Sequence, residues 1–157
     1  MRKLNLFIIC VLLFSAKLHA GMKVLEMNPP RFNKLMPVYG TCELDVATKQ
    51  LTNHTGKLCT AALGQPGYYI LVAEKNTLVR ITINKKESPH SGFDYSPKGI
   101  IKNDLNEEVV FSHGTVTIIN SGNSGDIHIY VGGEVVAQSR LSGATKYNVE
   151  FDIDFET

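Results

Sequence analysis

Tryptophan is absent, cysteine occurs only three times, and neither sign of charge dominates: 157 residues carry 16 Lys plus Arg against 15 Asp plus Glu, a formal net charge of +1. Near-neutrality argues against a nucleic-acid binder, whose affinity rests on clustered bases that neutralise phosphates. No apolar run beyond residue 20 is long enough to span a bilayer. Catalytic signatures are missing as well. Gly122-Asn123-Ser124-Gly125 resembles a nucleophile turn, but Asp126 stands where GxSxG requires its last glycine, so a hairpin turn is the better reading. Gly132-Gly133 has no following Lys and reads as a bulge or close backbone contact instead of a phosphate loop. His54, His90, His113 and His128 lie in separate segments without HxH or HExxH spacing. The chain therefore reads as non-enzymatic, with no cofactor and no metal.

Apolar residues, in contrast, make up 43% of the chain, too many for a disordered segment. A body of roughly 140 residues buries about two thirds of its unfolded surface, which suits one domain. The N-terminus places Arg2 and Lys3 before the apolar run Leu6 to Phe14 and ends in Ser15-Ala16-Lys17-Leu18-His19-Ala20. That pattern predicts a signal peptide over 1–20 and a mature domain over 21–157, secreted and without a transmembrane segment. Removing Arg2, Lys3 and Lys17 would leave 13 bases against 15 acids. It would also remove Cys10 and leave the even pair Cys42 and Cys59, predicted to form a disulfide in an oxidising compartment. Sixteen residues lie between the two. Closing a loop of that size stabilises a fold by roughly 3 kcal/mol if chain entropy of the unfolded state sets the effect.

Alternation with period two recurs along the mature chain, and helical periodicity does not. Val79, Ile81 and Ile83 alternate with Arg80 and Thr82; Ile127, Ile129 and Val131 alternate with His128 and Tyr130. Thr41 to Val46, Tyr68 to Ala73, Glu107 to Ser112 and Thr115 to Asn120 are rich in β-branched or aromatic residues and read as further strands. Turn signals separate them, at Gly64-Gln65-Pro66-Gly67, Glu74-Lys75-Asn76, Ser121 to Gly125 and Gly132-Gly133. The expectation is an all-β chain, an antiparallel β-sandwich of seven or eight strands. Lys85 to Asn103, with Pro89, Gly92, Pro97 and Gly99, reads as a long surface loop, dispensable for folding, that carries Ser88, His90, Ser91, Asp94 and Tyr95. At the C-terminus Tyr147, Val149, Phe151, Ile153 and Phe155 alternate with Glu150, Asp152, Asp154 and Glu156, predicting a core strand with an acidic outer face. Asn53-His54-Thr55 matches a glycosylation sequon.

Three blocks in order carry a resemblance: the hairpin Gly40-Thr-Cys-Glu-Leu-Asp-Val-Ala-Thr-Lys; Gly64-Gln-Pro-Gly-Tyr-Tyr-Ile-Leu-Val-Ala with Val79-Arg-Ile-Thr-Ile; and Ile127-His-Ile-Tyr-Val-Gly-Gly-Glu-Val followed by Gly143 and the last strand. Over most of residues 32–157 the chain resembles the bacterial secreted domain family DUF4402, which is similar to fimbrial subunits. The resemblance implies an immunoglobulin-like sandwich in a structural or adhesive protein of the periplasm, cell surface or fimbrium, without catalysis. In pilus subunits a missing strand leaves a groove that a periplasmic chaperone fills first and a neighbouring subunit, delivered through an usher, fills later by strand addition. Gly143 matches the glycine such subunits carry before their last strand, and Gly143, Tyr147, Val149, Phe151, Ile153 and Phe155 form the corresponding strand-addition motif. The penultimate position departs from the pattern, because Glu156 stands there with Phe155 one place earlier. Gly21 to Met27 departs too, offering few apolar positions for a donor segment before Pro29-Pro30. Two other readings remain open at this point: a stand-alone ligand-binding or inhibitory sandwich using the Lys85 to Asn103 loop, and a small hydrolase centred on His90 and Asp94.

Overall fold

The computed structural model describes residues 21–88, 92–142 and 149–157. Gly143 and Tyr147 of the strand-addition motif, and His90 and Ser91 of the expected loop, lie outside the described residues. The described residues form ten strands: β1 (Lys23–Asn28), β2 (Gly40–Leu44), β3 (Leu51–Gly56), β4 (Gly67–Val72), β5 (Leu78–Lys85), β6 (Phe93–Lys102), β7 (Glu108–Ser112), β8 (Val116–Asn120), β9 (Asp126–Ala137) and β10 (Phe151–Glu156). All pairings are antiparallel. The large sheet runs β1-β4-β9-β2-β3, with β6 on the other side of β9 and β7 beyond it; the small sheet runs β10-β5-β8. The class is the expected antiparallel β-sandwich, with ten strands among the described residues where seven or eight were expected, the additions including β1, β3 and β6.

Strand β9 organises the large sheet. On one side it pairs with β4 over Asp126 to Val131 and then with β2 over Gly133 to Ala137, while β6 flanks the other side from His128 to Ala137. Gly132 and Gly133 sit where the partner changes, so they continue the strand and do not turn it. A side chain at Gly132 would meet the Leu44 carbonyl, and Gly133, at φ +119, would meet the Ser96 carbonyl. Close backbone approach is thus what these glycines provide.

The core forms two clusters along β9. Ile127, Ile129 and Val131 pack with Leu71, Ile101 and Phe111 of the large sheet against Val79, Ile81, Ile83 and Ile119 of the small one. Val135 and Ala137 pack instead with Phe32, Leu44, Leu58, Phe93 and Tyr95 around the Cys42–Cys59 disulfide, whose Cα atoms lie 5.9 Å apart. Phe151 touches both clusters.

Two expectations need correction. The Lys85 to Asn103 segment is mostly strand: β5 runs to Lys85, and β6 buries Phe93, Tyr95 and Ile101. Pro97 is tolerated there because β7 covers only Lys98 to Lys102, leaving the second edge of β6 unpaired at Pro97. Gly99 marks a tight contact, since a Cβ would meet the Tyr130 carbonyl and come within 2.8 Å of the Phe111 ring. The N-terminal segment, of which the sequence said only that its apolar positions are few, forms a strand, β1, paired with β4 as far as Asn28 and ended by the prolines as expected. Finally, Val149, Phe151, Ile153 and Phe155 do pack against the core clusters from the β10 side, at the edge of the small sheet, but they stay half-buried and leave the sandwich incompletely closed there.

Candidate functional site

Both sheets end on the same side of the molecule. Among the described residues, strand β1 pairs only with β4 and strand β10 only with β5, so each presents an edge that no described strand covers. Between the two edges lies a groove with a cavity of about 420 Å³, lined by Val24, Glu26 and Pro29 from the β1 side, Tyr69 from the floor, and Val149, Phe151, Ile153 and Phe155 from the β10 side, with the charged side chains of Lys86, Glu150 and Asp152 at its border. Register explains the orientation. Ile153 pairs with Ile83 and Phe155 with Ile81, both buried in β5, so the odd-numbered residues of β10 point inward. Phe151 meets Tyr69 edge-on, with ring centroids 5.4 Å apart, and Tyr95 at 6.2 Å. These rings set the floor of the groove by packing, while Glu150 and Asp152 border it from the outer side of β10.

Polar groups rim the groove. Glu26 pairs with Tyr69 across β1 and β4, which aims a carboxylate toward the interior from an edge strand. Burial, then the charge of Glu26 and its hydrogen bond, raise the Tyr69 phenol pKa above its ordinary value. On the opposite face of β10 the four carboxylates are exposed, as alternation requires, but they are not left alone. Asn84 Nδ2 donates to Asp154 at 2.8 Å, Arg80 lies 3.4 Å from Glu156, and Lys86 lies 3.9 Å from Glu150 and 3.8 Å from Asp152. Two cations against four carboxylates leave the strip beside the groove acidic.

A second constellation was invisible in the sequence. Glu43 on β2, His54 on β3 and Glu134 on β9 bring their side-chain ligand atoms within 4.8 Å of one another. Scattered along the chain, they are gathered by register, because Glu43 pairs directly with Glu134. His54 Nε2 lies 2.7 Å from Glu43, and the Lys98 ammonium donates to Glu43 at 3.1 Å. The His54 hydrogen bond first, opposed by partial burial and aided by Lys98, holds the Glu43 carboxyl below its ordinary pKa. With Lys98 already supplying positive charge, the cluster is an ion-pair network on the sheet surface.

Other candidates from the sequence resolve into structure. Asn53 uses its amide to bridge the disulfide loop, donating to the Cys59 carbonyl at 2.9 Å and accepting from the Cys59 N–H at 2.8 Å, so its nitrogen is engaged as a structural donor. Ser124 lies in the β8 to β9 connection, where the Asp104 carboxylate accepts from the N–H groups of Asn123 and Ser124. Asp94 on β6 is paired with Lys85 at 3.1 Å. Among the described residues, no helix is long and apolar enough to cross a membrane.

The chain matches no family model, no curated protein and no solved structure. What it does must be read from the groove and the faces beside it.

Proposed function

We propose that this chain is a secreted structural or adhesive module of the fimbrial (pilus) subunit type, which joins other chains by strand addition along the free edge of β10. The observation that carries this reading is the pair of edges, β1 and β10, unpaired among the described residues and facing each other across a groove with an aromatic floor and a charged border. An open edge beside half-buried aromatic side chains is a template for an extended segment: its backbone completes the ladder, and alternate side chains enter the groove. The guest is an extended strand from a partner chain that alternates apolar residues with Lys or Arg. Apolar positions meet Tyr69, Phe151 and Ile153, and basic positions fall beside Asp152, Asp154 and Glu156 on the outer face. A neighbouring subunit, or a periplasmic chaperone delivering it to an usher, presents such a strand. The Cys42–Cys59 disulfide and the N-terminal signal pattern support export to the periplasm, cell surface or fimbrium. The DUF4402 resemblance supports the same role.

The test is a peptide alternating Val with Lys, titrated into the purified oxidised protein. Saturable binding with a raised melting temperature is expected, because a ligand of the folded state stabilises it by mass action. Ile153→Lys, which puts a charge into the groove, should abolish binding, and Ile153→Ala should weaken it while the circular dichroism spectrum stays that of the parent. No binding, or binding indifferent to both substitutions, would sink the reading.

A further inference from the structure

We propose that the outer face of the large sheet, on the opposite face of β4 from the groove, carries a binding site for a hexopyranose sugar, built on Tyr130 and Tyr68. Register places Tyr68 of β4 directly opposite Tyr130 of β9, and Tyr130 opposite Ile100 of β6. The two phenol rings stack with centroids 5.0 Å apart and planes 11° from parallel. The Tyr68 hydroxyl lies 2.8 Å from His128 Nδ1, which fixes that ring. Both rings line a cavity of about 790 Å³, walled by the turn carrying Val46 and Lys49 and by Gln65. Sites for small molecules have volumes of roughly 300–1,000 Å³.

The walls are held before any ligand arrives. Asp45 accepts from the backbone and hydroxyl of Thr48, both at 2.7 Å, and its carbonyl accepts from the Lys49 N–H at 2.9 Å; Lys49 adopts φ 61. Among the described residues, the Lys49 ammonium, the Gln65 amide and the Tyr130 hydroxyl have no hydrogen-bond or ion-pair partner. A pyranose ring is two-sided in the same way as this cavity, with a C–H face that packs on an aromatic ring and an edge of hydroxyls that needs donors and acceptors together. The other ligand classes fit less well. A hydrocarbon would use none of the three polar groups at the walls. A phosphorylated ligand would find Lys49 alone, since Lys102 at the far wall is already paired with Glu108 at 2.6 Å.

The experiment is calorimetric titration of the oxidised protein with the methyl pyranosides of glucose, galactose, mannose and N-acetylglucosamine. At least one should bind saturably. Tyr130→Leu, which keeps apolar bulk but removes the ring, should weaken it by about tenfold, the equivalent of one good aromatic contact. Lys49→Met should also weaken it, at an exposed position where the fold does not depend on the ammonium. Peptide binding in the groove should be unchanged in both variants, which separates this site from the strand-addition reading. If no member of the panel binds at tens of millimolar, or if Tyr130→Leu and Lys49→Met bind as tightly as the parent, the site is not a sugar site.

Discussion

A methyl group added at Gly99 would run into the Tyr130 carbonyl and the Phe111 ring. Neither can retreat freely, because Tyr130 belongs to the central strand and Phe111 is 2% exposed. Gly99→Ala should therefore cost about 1–3 kcal/mol, as overpacking does, and a lowered denaturant midpoint with unchanged slope would register it. Glu43 makes a different prediction. Its carboxyl titrates below its ordinary value of 4.5 because His54 hydrogen-bonds the ionised form. A depressed folded-state pKa contributes stability above the unfolded value and loses it as pH falls through the folded one. Glu43→Gln should thus be less stable than the parent at neutral pH, by less than about 1 kcal/mol because the pair is solvent-screened. The difference should vanish well below the ordinary carboxylate range. A gap that is flat across the acid limb of the stability profile would contradict it.

Strands β9 and β10 carry similar alternation but occupy different places. Ile129 of β9 is fully buried between the sheets, whereas Ile153 of β10 borders an unfilled groove. Ile129→Ala should destabilise by about 2–5 kcal/mol, and Ile153→Ala by less than half of that. Equal costs in thermal or chemical unfolding would mean that β10 is a core strand after all. The alternation of β5, β10 and the first half of β9 was legible in the sequence because each inward position holds a recognisably apolar residue, whereas Gly132-Gly133 read as a turn and hid the continuation of β9 to Ala137. In β6 the inward series is Phe93, Tyr95, Pro97, Gly99 and Ile101, and its proline and glycine disguise a period that the fold respects throughout. Strand β3 was hidden for the opposite reason: only Leu51 is buried, so an edge strand of polar residues has no apolar face to display. The inward residues of β10 were identifiable, yet Val24, Glu26 and Tyr69 join them only through the packing of one sheet on the other. No local spacing announces such neighbours. Because β6 is a strand, excising 93–102 should abolish folding, whereas a plain surface loop would tolerate the cut.

Across the whole molecule the two core clusters are unequal in kind. One is assembled from β5, β8 and the first half of β9 and contains no covalent tie. The other gathers Phe32, Leu58, Phe93 and Tyr95 around the disulfide and includes residues of the irregular segments before β2 and after β3. Its strands β2 and β3 hang from β9 by β2 alone, and five of the six residues of β3 are exposed. The covalent link therefore tethers the region least supported by the sandwich. Reducing Cys42–Cys59 should lower global stability by about 3 kcal/mol, but the loss should not be spread evenly. Amide exchange should accelerate first in β2 and β3, while β5, β8 and Asp126 to Val131 of β9 keep their protection, because local opening follows the weakest cooperative unit. The groove belongs chiefly to the cluster without the disulfide, so peptide binding at β10 should survive reduction wherever the protein remains folded. Uniform loss of protection along all of β9 would show that the two clusters unfold as one, and that the disulfide holds the entire sandwich.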